Sequence, residues 1–544
     1  MSPDENTQHT EPQDERFSAF DLPTRPDETA GAPKKGHLSK RVRSLLIAVA
    51  AMVLLALALV LITLLPHGSA PVSSSEPTSE ATQTYPLYDK TAADAQHPVT
   101  SVEVKNSNGS YTIEYSDKTA GYILRGYDDI PLSKNATSLV EACTVLNGKT
   151  RISTVESLKD FGLEEAASTA TIHYADGTTG TLLLGNEAPS GDGYYACLAD
   201  SSEVYIIDTD TASYFIAADW WYVSTTLMTA PTVRDDDTNG VSLLRSLSLT
   251  GKRHAQPLSL RRVTDDDEQE YSYFKYVTTQ PYFRGVTDSV GDTMYGFTSL
   301  YAERAAILHP TAEQRQKYGF NNPYTVAKVT LAVESTSESK NGSTGEREST
   351  PIVYNNTTYT ITVGCIDTDG NYVVMVDGID VIYIVTQSSL KELVERQNDN
   401  TTSSLLFLKD ITTVGQVDFS LNGEKHTFTL THNEGAEDSD SKLTVQSGGK
   451  TYPTSDFRKL YSITMGLERY KTADSAPTGT PDLSIAIYAL DGRQAFAADF
   501  YNTSGSLSTV RTSDGEFFCV KVSTITKLMT QLNNYLNGDP VLDA

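Results

Sequence analysis

The acidic segment Asp235-Asp236-Asp237-Thr238-Asn239-Gly240 comes closest to the spacing of a metal site. It places oxygen-bearing side chains at positions 1, 3 and 5 and glycine at position 6, as a calcium-binding loop does. Position 12 is Ser246, which cannot supply the bidentate carboxylate that completes such a loop. In Asp367-Thr368-Asp369-Gly370 the glycine comes too early, at position 4. The sequence therefore favours acidic turns and predicts no metal-binding residues.

Hydrolase chemistry has one short candidate, the Ser-x-x-Lys spacing of Ser388 and Lys391. It lies on a predicted surface helix, and the chain contains no Lys-Thr-Gly partner motif. The zinc-protease, nucleophile-elbow and P-loop patterns are also absent. His173 alternates with Thr169 and Thr171 along a strand, which indicates a solvated position. A glycosidase pair among the many external carboxylates stays open, because sequence alone cannot place two acids across a cleft. We predict a protein that is not an enzyme, with no catalytic or cofactor-binding residues and no cofactor.

Both tryptophans of the chain lie in Trp220-Trp221-Tyr222, its densest aromatic cluster. Such a cluster could anchor a partner protein. Large aromatic residues more often serve packing, so we expect it to be buried at a seam between two repeat units.

Four cysteines, Cys143, Cys197, Cys365 and Cys519, are widely separated, and none forms a Cys-x-x-Cys pair. Zinc-ribbon and thioredoxin-like sites therefore lack their basic spacing. An exported region of this size does not need disulfides to stabilise its core. We expect buried free thiols, although one bridge remains compatible with the sequence.

An apolar run over 45–65 determines on which side of a membrane the rest of the chain lies. Its sequence is LLIAVAAMVLLALALVLITLL. As a helix it would reach roughly 31 Å, about the thickness of a bilayer core. Five cations precede the run and none directly follows it: Lys34, Lys35, Lys40, Arg41 and Arg43. The positive-inside rule then leaves 1–44 in the cytoplasm and places 66–544 outside.

Two other interpretations of this run are weaker. A signal peptide has a shorter apolar core nearer the N-terminus, although a peptidase could accept Gly68-Ser69-Ala70. A buried core helix is rarely apolar on every face over six turns. We therefore predict a retained single-pass anchor in the cell membrane, with the lipid bilayer as the partner of 45–65.

The segments that flank the anchor have no apolar periodicity. Residues 1–44 are rich in Pro, Asp, Glu and Thr, which predicts a disordered cytoplasmic tail. Residues 66–97 are rich in Ser, Thr and Pro, which predicts a stalk. The net charge of −27 falls almost entirely on the external part, which repels nucleic acid and anionic lipid headgroups. We therefore predict no nucleic-acid partner, and anionic headgroups are disfavoured as partners of the external part.

The external part is predicted to repeat three times, over 98–234, 240–400 and 408–544. Each copy opens with two alternating apolar strands around a glycine turn, at Asn108-Gly109, Gly251 and Asn422-Gly423. Each closes with an Asp-Gly turn, a strand and a helix. The predicted closing strands are 204–207, 382–385 and 518–522, and the helices after them are 209–217, 387–396 and 523–536. A middle helix is predicted over 138–146, 298–308 and 455–467.

The middle copy is longer, and its excess falls largely in two polar insertions, 265–270 and 334–350, which we expect on surface loops. Strands outnumber helices, and hairpins imply antiparallel pairing. The predicted fold class is α+β: three tandem, mostly antiparallel β modules, each with one or two packed helices, after a single N-terminal transmembrane helix.

Short motifs in the first copy resemble domain-of-unknown-function family 4340. They are LKDFGLE at 158–164, Asp176-Gly177, Leu182-Leu183-Leu184-Gly185, Tyr194-Tyr195 and Val204-Tyr205. Residues 315–390 look like a looser copy with Tyr318-Gly319-Phe320, and the similarity covers roughly 100–400. The resemblance implies a single-span bacterial membrane protein, often found beside ABC-type permease components of the gliding-motility-associated kind. It carries over no catalytic residue, because the shared residues are turn glycines and strand aromatics.

The apolar run and the repeats predict a membrane protein with a large external binding region. The resemblance implies that it is a non-catalytic accessory of an ABC-type membrane transport assembly, with an integral membrane permease as its expected partner. The alternative is a cell-surface module that binds cell-wall polymer or another extracellular ligand.

Overall fold

Antiparallel β-sheets dominate the computed structural model of the chain, which describes residues 16–17, 84–91, 96–233, 240–264, 267, 271, 273–340, 347–433, 435–436 and 441–542. Seven α-helices accompany the sheets in these residues, so the fold class is α+β. The chain divides into two compact units. The N-terminal unit is Leu22–Val223, and the C-terminal unit is Ser224–Ala544 together with Met1–Asp21.

No α-helix in the described part of the chain is long and apolar enough to cross a bilayer. The predicted transmembrane helix, 45–65, lies outside the described residues, as do most of the predicted tail and stalk. Of the tail, the structure describes strand β1 (Arg16–Phe17), which pairs in parallel with Ile366 and Asp367.

The N-terminal unit contains strands β2 to β11 and helices α1 and α2. The strands are β2 (Tyr85–Asp89), β3 (Val99–Asn106), β4 (Gly109–Ser116), β5 (Gly121–Leu124), β6 (Val145–Gly148), β7 (Thr150–Thr154), β8 (Ser168–Tyr174), β9 (Thr179–Glu187), β10 (Tyr194–Leu198) and β11 (Glu203–Ile207). The helices are α1 (Lys134–Thr144) and α2 (Thr209–Ile216), and Lys159–Phe161 and Asp219–Tyr222 form 3-10 turns.

Eight of these strands form the first sheet, in the order β5-β4-β3-β8-β9-β10-β11-β7. Strand β2 pairs separately with β6, so part of the segment predicted as stalk is folded. The hydroxyl of Tyr88 donates a hydrogen bond to the carbonyl oxygen of Ala142 in α1 over 2.8 Å, which fixes β2 to the helix.

The C-terminal unit begins with strands β12 to β22. They are β12 (Thr226–Met228), β13 (Val241–Thr250), β14 (Leu258–Arg262), β15 (Tyr276–Gln280), β16 (Arg284–Gly285), β17 (Leu300–Tyr301), β18 (Arg304–Leu308), β19 (Thr325–Lys340), β20 (Arg347–Asp367), β21 (Tyr372–Val376) and β22 (Ile379–Val385). The helices in this part are α3 (Asp288–Tyr295), α4 (Ala312–Lys317) and α5 (Gln387–Val394). The second sheet has the order β16-β15-β14-β13-β19-β20-β21-β22-β18, with β1 beside β20.

The rest of the C-terminal unit carries the third sheet. Its strands are β23 (Val414–Leu421), β24 (Glu424–His432), β25 (Leu443–Ser447), β26 (Lys450–Tyr452), β27 (Lys471–Thr472), β28 (Leu483–Ala489), β29 (Gln494–Tyr501), β30 (Leu507–Thr512) and β31 (Phe517–Lys521). They pair in the order β26-β25-β24-β23-β28-β29-β30-β31-β27. Helices α6 (Thr454–Met465) and α7 (Val522–Asn537) pack on each other, and Ile411–Thr413 is a 3-10 turn.

The three large sheets share one strand order. In each, an opening hairpin lies beside a four-strand meander, and a strand from between them in sequence pairs at the far edge: β7, β18 or β27. A helix precedes that edge strand in each sheet: α1, α3 and α6. A second helix follows each meander: α2, α5 and α7. The periodicity of the sequence therefore corresponds to a repeated topology.

The opening hairpins are present in all three sheets. In the third, Asn422 and Gly423 have φ values of 51° and 87°, as the predicted turn requires. In the first, Asn106 pairs with Gly109, so the turn is Ser107-Asn108, one residue earlier than predicted.

The closing helices and two of the three middle helices lie within a few residues of their predicted positions. The middle helix predicted over 298–308 is wrong. Its residues form β17 and β18, and β18 pairs with β22 and buries Ala305 and Ala306. Pairing with a strand distant in sequence outweighs the helix propensity of this alanine-containing segment. The polar insertion 334–350 is mostly a continuation of the β19–β20 hairpin rather than a loop.

The aromatic-Gly-apolar elements of the first two copies lie directly on a glycine of the neighbouring sheet. A Cβ on Gly185 would meet the carbonyl oxygen of Phe161 at 2.2 Å, and one on Gly364 would meet that of Tyr318 at 2.1 Å. These motif residues therefore permit two backbones to approach closely, which supports a structural role for them.

Candidate functional site

Of the two acidic turns considered for metal binding, the structure describes only the second in full. Residues 235–239 of the calcium-like segment lie outside the described part of the chain. In the second turn, Asp367 is buried, and its Oδ1 accepts hydrogen bonds from the backbone N–H groups of Asp369 and Asn371. That carboxylate closes its own turn. Among the residues that the structure describes, no group of three or more His, Cys, Asp or Glu could hold a metal ion.

The other candidates considered from sequence occupy ordinary structural positions. Ser388 lies in the first turn of α5, within 3.2 Å of the hydroxyl of Thr386, and Lys391 is exposed on the same helix. His173 lies on β8 with 40% of its side chain exposed, and its Nδ1 is 3.3 Å from the Thr179 hydroxyl. The solvated position predicted for His173 is confirmed.

The aromatic cluster at 220–222 packs inside the N-terminal unit. Trp220 and Tyr222 are buried, and Tyr222 donates a hydrogen bond to the carbonyl oxygen of Tyr214. The hydroxyl of Tyr111 in turn donates to that of Tyr222 over 2.9 Å, and Trp221 packs on Tyr214. Burial of the cluster is confirmed, whereas its predicted place at a seam between repeats stays a prediction. All four cysteines are free and buried, as predicted.

A polar cluster in the C-terminal unit joins the second and third sheets. Glu516, only 5% exposed, accepts hydrogen bonds from Arg284 over 2.9 Å, Arg469 over 3.1 Å and Asn398 over 3.2 Å. Arg284 also donates through both terminal nitrogens to Asp514, over 2.6 and 3.0 Å. We call Arg284, Asn398, Arg469, Asp514 and Glu516 the seam cluster.

Local structure places the charged members of the seam cluster. Asp514 and Glu516 flank Gly515 in the tight turn from β30 to β31, and Gly515 has a φ of 90°. Arg284 begins β16, at the edge of the second sheet. Arg469 lies just before β27, where its Nη2 also donates to the hydroxyl of Thr402 over 2.7 Å. Two cations thus neutralise the buried carboxylate of Glu516 and that of Asp514, whose side chain is 35% exposed.

An open cleft lies beside the seam cluster, with a volume of about 350 Å³. We call it the aromatic cleft; it is lined by Asp267, Tyr271, Phe283, Arg284, Arg493, Ala495, Phe496, Ser513 and Asp514. Phe283 and Tyr271 meet edge to face with centroids 5.0 Å apart, and the Arg284 guanidinium lies 4.9 Å from the centroid of Phe496. The walls of the cleft therefore combine aromatic faces with charged groups.

The two carboxylates of the cleft are held ionised. Burial opposes ionisation of Asp514, but the hydrogen bonds and charge of Arg284 outweigh it, so the pKa of Asp514 is lowered. Hydrogen bonds from Arg261 lower the pKa of Asp267 to about 2, against the smaller effect of burial. At neutral pH both groups accept hydrogen bonds and cannot donate them.

A second open pocket, of about 540 Å³, lies next to Arg469. Its lining is mainly hydroxyl-bearing and charged: Thr287, Asp399, Asn400, Thr402, Ser404, Arg469, Tyr470, Lys471 and Thr472.

Sequence reasoning identified neither the seam cluster nor the cleft. Arg284 and Glu516 are 232 positions apart, so no local spacing connects them. The Asp-Gly turns of the three copies do not correspond in the structure. Asp192-Gly193 and Asp369-Gly370 lie between the second and third strands of their meanders, whereas Asp514-Gly515 lies between the third and fourth strands. A comparison of the copies at these turns therefore gives no signal for Glu516.

The architecture defines the chain as an α+β protein built around three large antiparallel sheets of the same strand order. Residues 124–287 match the model of a family described as "Domain of unknown function (DUF4340)". The resemblance to that family is confirmed over this stretch, which is narrower than the predicted 100–400. No curated protein and no solved structure matches the chain.

Proposed function

We propose that the chain is a single-pass membrane protein that acts by binding, as a non-catalytic accessory of an ABC-type transport assembly. The observation that carries the proposal is the uncharged apolar run over 45–65 with cations on its N-terminal side alone. Residues 66–544 would then lie outside, with a stalk followed by three tandem modules.

The anchor has a structural consequence for the tail. With one membrane crossing at 45–65, residues 16–17 and the second sheet lie on opposite sides of the bilayer. The pairing of β1 with Ile366 and Asp367 therefore requires that the run is not inserted. We propose that this pairing is absent from the inserted protein.

The seam cluster supports binding rather than turnover. The carboxylate of Glu516 is occupied by two arginines and one amide, and Asp514 is occupied by Arg284. Groups paired in this way fix the orientation of two sheets, because each charge is neutralised by its partner. A fixed orientation suits a docking surface.

Crosslinking in intact membranes tests the transport role. The full chain is crosslinked in its native membrane, and the captured proteins are identified by mass spectrometry. A variant that lacks 45–65 serves as the control for contacts formed without insertion. Repeated capture of an integral permease by the full chain alone is expected. Recovery of no integral membrane partner would eliminate the transporter version.

The aromatic cleft favours the second candidate, a surface module that binds cell-wall polymer, because it is an open pocket with both apolar and polar walls. Retention of the purified full chain on isolated wall material, compared with retention on lipid vesicles alone, distinguishes the two candidates. Wall binding without permease capture would replace the first proposal with the second.

A further inference from the structure

We propose that the aromatic cleft binds a neutral carbohydrate ring. The inference names the ligand class of the second candidate function at the same cleft and rests on that candidate. It does not depend on the membrane role, because all of the residues that carry it belong to the C-terminal unit.

The apolar part of the cleft suits one face of a sugar ring. Tyr271 and Phe283 are half-buried, and both line the cleft together with Phe496. The Lys409 ammonium lies over one of the two faces of the Tyr271 ring, 3.8 Å from its centroid. Sugars carry several C–H groups on one ring face, and these slightly positive hydrogens pack on the negative face of an aromatic ring. A rigid aromatic wall offers this contact with little loss of side-chain entropy.

The polar part of the cleft suits hydroxyl groups. Asp514 Oδ2 accepts one hydrogen bond, from Arg284, and a carboxylate oxygen can accept a second. The neighbouring Ser513 is exposed, and its hydroxyl oxygen accepts from the backbone N–H of Ala497, which leaves its own hydrogen to donate. Arg493 adds a guanidinium whose side chain is 58% exposed. A vicinal diol, which donates and accepts at adjacent atoms, matches this combination.

Charge balance selects a neutral ligand. The lining contains two carboxylates, Asp267 and Asp514, and two guanidinium groups, Arg284 and Arg493. Both carboxylates stay ionised at neutral pH and would repel an anion, while the two arginines would repel a cation. A neutral ligand with many hydroxyls gains hydrogen bonds to the charged groups without an unbalanced charge.

The size and openness of the cleft limit the ligand further. A volume of about 350 Å³ lies at the lower end of the range for ligand pockets, about 300–1,000 Å³. The cleft is open to solvent, so a short saccharide can enter it while the rest of a polymer continues outside.

Calorimetric titration of the purified full chain in detergent tests the site. The probes are soluble neutral oligosaccharides of glucose, N-acetylglucosamine, galactose and mannose, with oligogalacturonate as an anionic comparison. We expect at least one neutral probe to bind with a Kd of about 1 mM or tighter, and the galacturonate to bind at least tenfold more weakly.

Paired variants locate the binding. Tyr271→Ala should weaken binding roughly three- to tenfold through the lost ring contact, whereas Tyr301→Ala, at a 55% exposed tyrosine outside the cleft, should not. Arg493→Ala should weaken it about tenfold through a lost charged hydrogen bond, whereas Arg511→Ala, at a 49% exposed arginine of β30 outside the lining of the cleft, should not. Circular dichroism verifies that each variant is folded.

The inference would be overturned if no neutral probe binds at 10 mM, about the weak limit for a pocket of this kind. It would also be overturned if the anionic probe binds more tightly than the neutral probes, or if binding is unchanged in both cleft variants. None of these would affect the proposed membrane role, because crosslinking to a permease is measured independently of sugar binding.

Discussion

Removing the charge of Glu516 should loosen the third sheet substantially. This carboxylate is 5% exposed and is the only charged group among the hydrogen-bond acceptors described here for Arg469. In Glu516→Gln, the Arg469 guanidinium keeps the hydroxyl of Thr402 and the carbonyl oxygen of Asp399, both of which are neutral. Breaking a buried ion pair from one side costs about 3–5 kcal/mol. The glutamine side chain still has one oxygen that can accept a hydrogen bond. We therefore expect a loss of stability at the lower end of this range, about 3 kcal/mol.

Hydrogen exchange measured by mass spectrometry is the suitable assay, because a multi-sheet chain is not expected to unfold in two states. A loss of about 3 kcal/mol corresponds to roughly 100-fold faster exchange of the protected amides of β28 to β31. Glu424→Gln is the matched control, since this side chain is 79% exposed on the same sheet. It should change stability by no more than about 0.5 kcal/mol. Equal protection in the two variants would refute the assignment of the seam cluster as a stabilising contact.

Three further predictions follow from local contacts. Gly185→Ala places a Cβ 2.2 Å from the carbonyl oxygen of Phe161 and should destabilise the N-terminal unit by about 1–3 kcal/mol; Gly180→Ala on the same strand, with its nearest neighbour at 3.5 Å, should cost much less, and equal melting temperatures would contradict the close approach. The pKa of Asp267 is lowered to about 2 by Arg261, so its contribution to stability is present above about pH 4 and is lost as the pH falls toward 2; Asp267→Asn should remove that pH dependence from urea midpoints, and an unchanged profile would contradict it. The four buried thiols should react with a maleimide only on unfolding, and rapid labelling of the native chain would contradict their burial.

The sequence predicted the features that depend on neighbours along the chain. The Asn422-Gly423 turn is an example, because positive φ at two consecutive positions is a property of those two residues. The closing helices likewise begin after a strand and carry their own apolar face. Three similar copies of such local signals were enough to predict the α+β class.

The features that the sequence did not predict correctly depend on contacts between residues far apart in the chain. The segment 304–308 contains good helix formers, yet its place at a sheet edge is determined by β22, more than 70 residues later. The seam cluster brings residues of the second and third sheets together, and no periodicity within either sheet indicates such a contact. The aromatic cleft exists only after that contact has formed, so its residues could not be selected from the sequence.

We propose that the chain crosses a membrane once and exposes the folded region outside. Because the four native thiols are buried, an introduced exposed cysteine can report on its own side of the membrane. Asp491→Cys lies at a 67% exposed turn of the third sheet, and Ser39→Cys lies in the predicted tail. A membrane-impermeant maleimide should label position 491 in intact cells. It should label position 39 only after the cells are lysed. Labelling at 491 only after lysis would contradict the proposal.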